Sequence, residues 1–224
     1  MKIFVASTGR CGTSFMAQVF GHLTDFPSFH EPLPKGKGCL LREINDDMSY
    51  SSETINTLEN KIDCIRRDAV NGNYFEANNY FMRTFVYAVL DAFDDVYCIY
   101  LHRNLVDLLA SFAARYAQQR IRRRHLEPTW KNNILKATGG MTYFEMMAWN
   151  YFEIRERFYS LQDRFVKTYD FDFKYINNVD EWYKMFDHFG INAKRIEKFP
   201  VEWKRNTSKI FGSLTEAVEV IRGV

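Results

Sequence analysis

Ser7-Thr8-Gly9-Arg10-Cys11-Gly12-Thr13-Ser14 places two glycines, an arginine and four hydroxyl side chains in one short stretch. Before it, Ile3 to Ala6 is apolar, with β-branched and aromatic residues, and reads as a strand. After it, Thr13 to Leu23 reads as a helix. A strand, a tight loop and a helix N-terminus aim backbone N–H groups at one point, which is an anion site. Gly9 and Gly12 let the backbone turn and approach a phosphate closely. Thr13 and Ser14 add hydroxyl donors, and Arg10 adds a fixed positive charge. Aligned on Gly12, the phosphate loop GxxxxGK[ST] would have Ser7 for its first glycine and Thr13 for its lysine. The lysine that reaches a γ-phosphate is therefore absent. That argues against an ordinary ATPase or kinase and leaves a phosphate cradle intact. A tight turn without chemistry is the plainer alternative.

A second stretch, Tyr97 to Asp107, runs from an apolar strand into a helix and carries Arg103, with Ser111 further along that helix. The carboxyl end of a parallel strand is where α/β proteins bind ligands. Arg103 can grip a phosphate bidentately. Ser111 follows about two helical turns later and can offer its hydroxyl to the same group. By themselves, a strand-end charge and a helix-surface serine would be the simpler reading.

Together the two stretches resemble sulfotransferases that use 3'-phosphoadenosine-5'-phosphosulfate (PAPS). In that family an [Arg/Lys]-x-Gly-Thr-[Ser/Thr] core binds the 5'-phosphosulfate, and Arg10-Cys11-Gly12-Thr13-Ser14 resembles it. A strand ending in Arg-[Asn/Asp]-Pro-x-Asp, followed by a helical serine, binds the 3'-phosphate. Arg103-Asn104-Leu105-Val106-Asp107 with Ser111 resembles that, with Leu105 in place of the proline. The resemblance implies a P-loop NTPase-like sulfotransferase fold and PAPS as donor. It also implies adenosine 3',5'-bisphosphate (PAP) as product and no metal requirement. A sulfuryl group carries less negative charge than a phosphoryl group, so positioning and hydrogen-bond donors suffice.

An acceptor needs a general base. Phe29-His30-Glu31-Pro32 resembles a family stretch with Glu before Pro near the sulfuryl group, which makes Glu31 the first choice and His30 the second. Glu76-Ala77-Asn78-Asn79 ends another expected strand, and the resemblance puts Asn78 near the acceptor. Trp203-Lys204-Arg205-Asn206 lies late in the chain, and the family often closes the donor site with a basic loop there, so Arg205 and Asn206 are candidates. Arg120, Arg122, Arg123 and Arg124 read as a solvated helix end or as an attractor of anionic ligands. Strand alternation turns His102 away from Arg103. Trp149 and Tyr151 suit the core better than a pocket.

These groups need a scaffold that brings distant loops to one edge. The spacing predicts helices over 53–70, 80–93, 105–124, from Thr142 and over 179–189. It predicts strands at Ile3–Ala6, Tyr74–Ala77, Val96–Leu101 and Phe165–Tyr169. On the helix from 53, Ile55, Leu58, Ile62, Ile65 and Ala69 form the apolar face. Phe26–Pro34 holds three prolines and must be extended or turning, and 35–51 reads as an exposed loop. Thr142-x-x-Glu145 and Ser213-x-x-Glu216 are capping patterns. Alternating strands and helices imply an α/β fold with a central, mainly parallel sheet flanked by helices, in a single domain over 1–224.

The chain has 224 residues, 30 Lys+Arg against 28 Asp+Glu, and 46% hydrophobic residues. This near-neutral balance excludes a strongly basic nucleic-acid binder and an acidic disordered chain. Four scattered cysteines without a CxxC pair argue against a zinc site and for a reducing compartment. No apolar run is long enough to span a membrane. The expectation is a cytoplasmic enzyme acting on a small-molecule or carbohydrate acceptor, with no nucleic acid and no membrane as partner. A P-loop kinase is one alternative, and a non-catalytic nucleotide-binding protein of the same fold is another. Nothing in the sequence fixes the oligomeric state.

Overall fold

The computed structural model describes residues 1–35, 51–119, 133–135 and 140–200, with the backbone alone at 115–119. Arg205, Asn206, Arg120 to Arg124 and the Ser213 capping pattern lie outside the described residues. The elements, in chain order, are β1 (Lys2–Ala6), α1 (Thr13–Leu23), β2 (Ser28–His30), α2 (Ser52–Asp68), β3 (Tyr74–Ala77), α3 (Phe81–Thr84) and α4 (Val86–Ala92). Then come β4 (Val96–His102), α5 (Leu105–Gln119), α6 (Tyr143–Leu161), β5 (Thr168–Asp172) and α7 (Val179–Phe189).

The strands form one five-stranded sheet in the order β2-β3-β1-β4-β5. Every pairing is parallel. Both faces are covered, which is why β1, β3 and β4 are nearly free of exposed residues. Alternation assigns the side chains. Ile3, Val5, Phe75, Ala77, Ile99, Leu101 and Phe171 meet α1 and α7 on one face. Phe4, Ala6, Tyr74, Cys98 and Tyr100 meet α2, α3, α4 and α6 on the other. Phe20 of α1 stacks on Phe75 with ring centroids 3.7 Å apart, and Trp182 of α7 is fully buried with its indole N–H donated to Ile176 O at 3.1 Å. Thr142 and Glu145 form both bonds of the capping box that opens α6.

Several boundaries differ from the sequence reading. The helix expected over 80–93 is broken at Phe85, which lies between α3 and α4 at φ −123° and ψ 9°. Phe85 is fully buried, and the break accompanies its packing on Phe4 and Phe81. The strand expected at Phe165–Tyr169 starts later, because Phe165 caps a 3-10 turn and plugs the core beneath β4. A three-residue strand, β2, occupies the segment read as extended or turning.

The element order also says where a ligand belongs. From β1 the chain passes to β2 and β3 on one side, and from β4 it passes to β5 on the other. Adjacent parallel strands whose connections diverge leave a crevice beyond their carboxyl ends. Here that crevice opens beyond Ala6 and His102, beside the glycine loop and Arg103.

Candidate functional site

The loop from Ser7 to Gly12 is built for close approach. Gly9 and Gly12 have φ of 80° and 89°, a region that glycine adopts freely. A Cβ on Gly9 would stand 2.8 Å from Asn79 Nδ2, and one on Gly12 would stand 3.1 Å from the Phe173 ring. Arg10, between them, holds φ 58° without being glycine, a strained conformation. Gly12 is the N-cap of α1 and offers no side-chain acceptor to the first helical turn. The positive end of the α1 helix dipole thus lies at the glycine loop without a side-chain cap.

Cys11 is the exception within the motif. Its side chain is fully buried, donates to Gly9 O at 3.3 Å and lies 3.6 Å from Thr8 Oγ1. Burial pushes its thiol pKa up, against smaller opposing effects from Thr8, Ser7 and the two arginines. Its side chain thus belongs to the core, and any ligand contact at this position falls to the backbone.

Residues far apart in sequence meet at the loop. Arg10 Nε donates to Ser111 Oγ at 3.3 Å, across from α5. Arg103 Nη1 donates to the Arg10 carbonyl at 3.5 Å, and its guanidinium lies over the Phe173 ring at 4.5 Å. Arg103 Nε is buried and has no hydrogen-bond partner. A buried donor left unmade costs about 1–3 kcal/mol, so an incoming acceptor is favoured there. Phe173 has no signal in the sequence, since it arrives from the turn after β5.

On the other side of the loop, Thr13 Oγ1 and His30 Nε2 share a hydrogen bond of 3.2 Å. Glu31 follows at φ 47°, with its amide donating to Ala77 O at 3.2 Å. Its carboxylate is 3.9 Å from Lys35 Nζ. His30, second choice in the sequence reading, is therefore the member of the pair that touches the loop. Partial desolvation beside the loop lowers the His30 pKa, with Glu31 pulling it up and Lys35 pushing it down, while the residue keeps an exposed edge. The imidazole is neutral at pH 7 and can accept a proton. A histidine with a lowered folded pKa stabilises the fold above the unfolded value of about 6.5. That contribution is lost as pH falls through the lowered pKa. An NMR titration should place the His30 midpoint below 6.5, and a midpoint above it would contradict the desolvated environment.

Asn78 is fully buried, and its amide is occupied at both ends. It donates to Glu76 Oε1 at 2.9 Å and to Lys35 O at 3.5 Å, and it accepts from Tyr80 N at 3.0 Å. Its neighbour Asn79 is the residue that lies against Gly9, with its Oδ1 buried and without a partner. Position beside Asn78 at a strand end was the only sequence signal for it. Beneath them Glu76 is fully buried, accepting from Lys61 Nζ at 2.7 Å and from the Tyr74 hydroxyl at 2.6 Å.

His102 binds Asp170 at 2.6 Å and stacks on Tyr100, as its turn away from Arg103 predicts. Trp149 is buried against Arg83, and Tyr151 packs at the edge of the core. Among the described residues, no group of three or more His, Cys, Asp or Glu could hold a metal ion. No described helix is long and apolar enough to cross a membrane. Comparison with protein-family models, with curated proteins and with solved structures finds no match.

Proposed function

We propose that the chain is a PAPS-dependent sulfotransferase with a P-loop-like fold. The observation that carries this reading is the meeting of Arg10, Ser111 and Arg103 beyond the carboxyl ends of β1 and β4. Arg103 and Ser111, from separate elements, suit a dianionic 3'-phosphate, and Arg10, bonded to both, suits the 5'-phosphosulfate beside it. The uncapped start of α1, with Thr13 and Ser14 in its first turn, suits the 5'-phosphosulfate. Thr13 in the place of the Walker lysine supports transfer of the less charged sulfuryl group.

The acceptor oxygen or nitrogen would attack sulfur in line. A new bond to sulfur forms as the bond from sulfur to the 5'-phosphate oxygen breaks, and PAP leaves with that electron pair. The acceptor proton passes to the His30–Glu31 pair, whose imidazole already touches Thr13. Asn79 would line the acceptor side of the loop.

Thermal denaturation with PAP, compared with ATP and magnesium, tests this. PAP at 100 times its Kd should add about 2.7 kcal/mol. For a chain of this size that is roughly 5–10 °C in Tm. A shift with magnesium-ATP alone would overturn the reading in favour of a phosphotransferase. If PAP binds, Glu31→Gln and His30→Asn should each slow turnover while leaving that shift in place. Donor binding without turnover on any acceptor would make the chain a binding protein.

A further inference from the structure

Tyr74, Glu76 and Asn78 follow one face of β3 toward its carboxyl end, where the crevice opens. The middle one is a buried carboxylate bonded at both oxygens. Lys61 Nζ and Asn78 Nδ2 donate to its Oε1 at 2.7 and 2.9 Å, and the Tyr74 hydroxyl donates to its Oε2 at 2.6 Å. All four residues are buried. Burial, with the adjacent carboxylate, pushes the Tyr74 phenol pKa up, so it stays a donor. Held from α2 and from both sides along its own strand, the carboxylate has one place to be. An apolar pair of similar volume would join α2 to β3 without desolvating two charges. It could not hold Asn78.

Asn78 spends its side chain on the turn between β3 and α3. One amide N–H goes to Glu76, and its Oδ1 accepts from Tyr80 N at 3.0 Å. Its backbone carbonyl accepts from Phe81 N at 3.1 Å, at the start of α3. The second amide N–H goes to Lys35 O at 3.5 Å, the longest bond of the group. Both amide N–H groups are thus engaged within the protein, which turns Asn78 from an acceptor ligand into a brace. The turn it braces touches both halves of the site. Ala77 O accepts from Glu31 N at 3.2 Å, at the residue whose φ is 47°. Asn79 lies so close to Gly9 that a Cβ there would stand 2.8 Å from its Nδ2. A backbone conformation such as that of Glu31 persists only where its surroundings hold it. Here the hold comes from Ala77 at one end of the segment 31–35 and from Asn78 at the other.

We infer that Asn78 is a positioning residue, which carries the fixed geometry of Glu76 into the β3–α3 turn and so sets the place of Glu31 relative to the glycine loop. The role of Glu31 as a base rests on the sulfotransferase reading, whereas its placement by Asn78 does not.

Amide hydrogen exchange of the full chain, followed by NMR, tests the placement. The Glu31 amide is read against that of Phe4 in the central strand, whose exchange follows global opening, so that a plain loss of stability cancels. Three variants separate the roles. Asn78→Ala removes the brace. Lys61→Met with Glu76→Leu removes both charges and the acceptor of the Asn78 amide. Lys61→Met with Glu76→Gln removes both charges and keeps that acceptor. Relative exchange at Glu31 should rise about tenfold or more in the first two and stay within about twofold of wild type in the third. Unchanged relative exchange in Asn78→Ala overturns the inference, and so does a glutamine variant that behaves like the leucine one. The latter would make the ion pair a packing element and nothing more. Should the leucine variant fail to fold, Asn78→Ala against the glutamine variant decides alone. The PAP-induced Tm shift of the wild-type chain is measured beside these. If PAP gives no shift, the sulfotransferase reading falls, and the exchange rates still decide what Asn78 does.

Discussion

Replacing Lys61 with methionine will remove about 3–5 kcal/mol of unfolding free energy. Lys61 and Glu76 are both fully buried, and their charges meet at 2.7 Å between α2 and β3. Without the ammonium, Glu76 would be left as an uncompensated charge beneath the sheet. The Tyr74 hydroxyl and the Asn78 amide, which also donate to Glu76, soften the loss without cancelling it. The expected change is a large share of the 5–15 kcal/mol that holds a typical domain together. It corresponds to roughly 6–20 °C in Tm. The double variant Lys61→Met with Glu76→Gln should recover more than half of the loss. Its glutamine still accepts from the Asn78 amide through its one carbonyl oxygen, can donate its NH2 to the Tyr74 hydroxyl oxygen, and leaves no charge behind. Urea unfolding of the two variants checks this. Equal losses in both would mean that the ion pair itself, and not the stranded carboxylate, sets the stability.

Arg103→Ala will weaken PAP by roughly 10–100-fold while changing stability little. A hydrogen bond to a charged group contributes about 1.5–3 kcal/mol, and every 1.4 kcal/mol is tenfold in affinity. Arg103 gives up two things in the variant. One is its buried Nε, which has no partner in the protein. The other is its bond to the Arg10 carbonyl, which braces the strained turn of the loop. What the fold loses is chiefly the contact with the Phe173 ring, about 0.5–1 kcal/mol. Arg103→Lys should restore charge but not the two-pronged grip, so affinity should recover only in part. Calorimetric titration with PAP decides it. Wild-type affinity in Arg103→Ala would remove the 3'-phosphate from this crevice.

Much of the scaffold was legible because burial leaves simple patterns. The run Val96–Leu101 is apolar throughout and is the strand β4, buried on both faces. Asn71-Gly72-Asn73 marks the turn before β3, and Thr142 with Glu145 marks the start of α6. Periodicity was a poorer guide where burial and polarity part company. On α2 the expected apolar face includes Ile55, which is 43% exposed, while Thr54 and Lys61 are buried. A buried lysine with its partner on another strand leaves no periodic trace. β2 hid for a different reason, since a three-residue edge strand among prolines has no room for a pattern. At the site, the motifs located Arg10, Thr13, Arg103 and Ser111 but not their geometry. The contact between Arg10 and Ser111 joins residues 101 positions apart, and Phe173 and Asn79 enter only through the fold.

The position of β1 in the sheet has a consequence for how the protein is made. β1 lies between β3 and β4, with Lys2 in register with Tyr74 on one side and Val96 on the other. The strand synthesised first therefore waits for both of its neighbours. At about 5–20 residues per second, the ribosome needs roughly 5–20 s between delivering β1 and completing β4. Until β3 is delivered, Ile3, Phe4 and Val5, all fully buried in the finished sheet, have no strand to pair with, and until β4 docks they can pair on one side only. The glycine loop is tethered to that waiting strand, so the crevice it helps to form is absent until β4 docks. Nascent chains stalled before His102 should therefore engage chaperones that read apolar segments, and chains stalled well beyond it should be released.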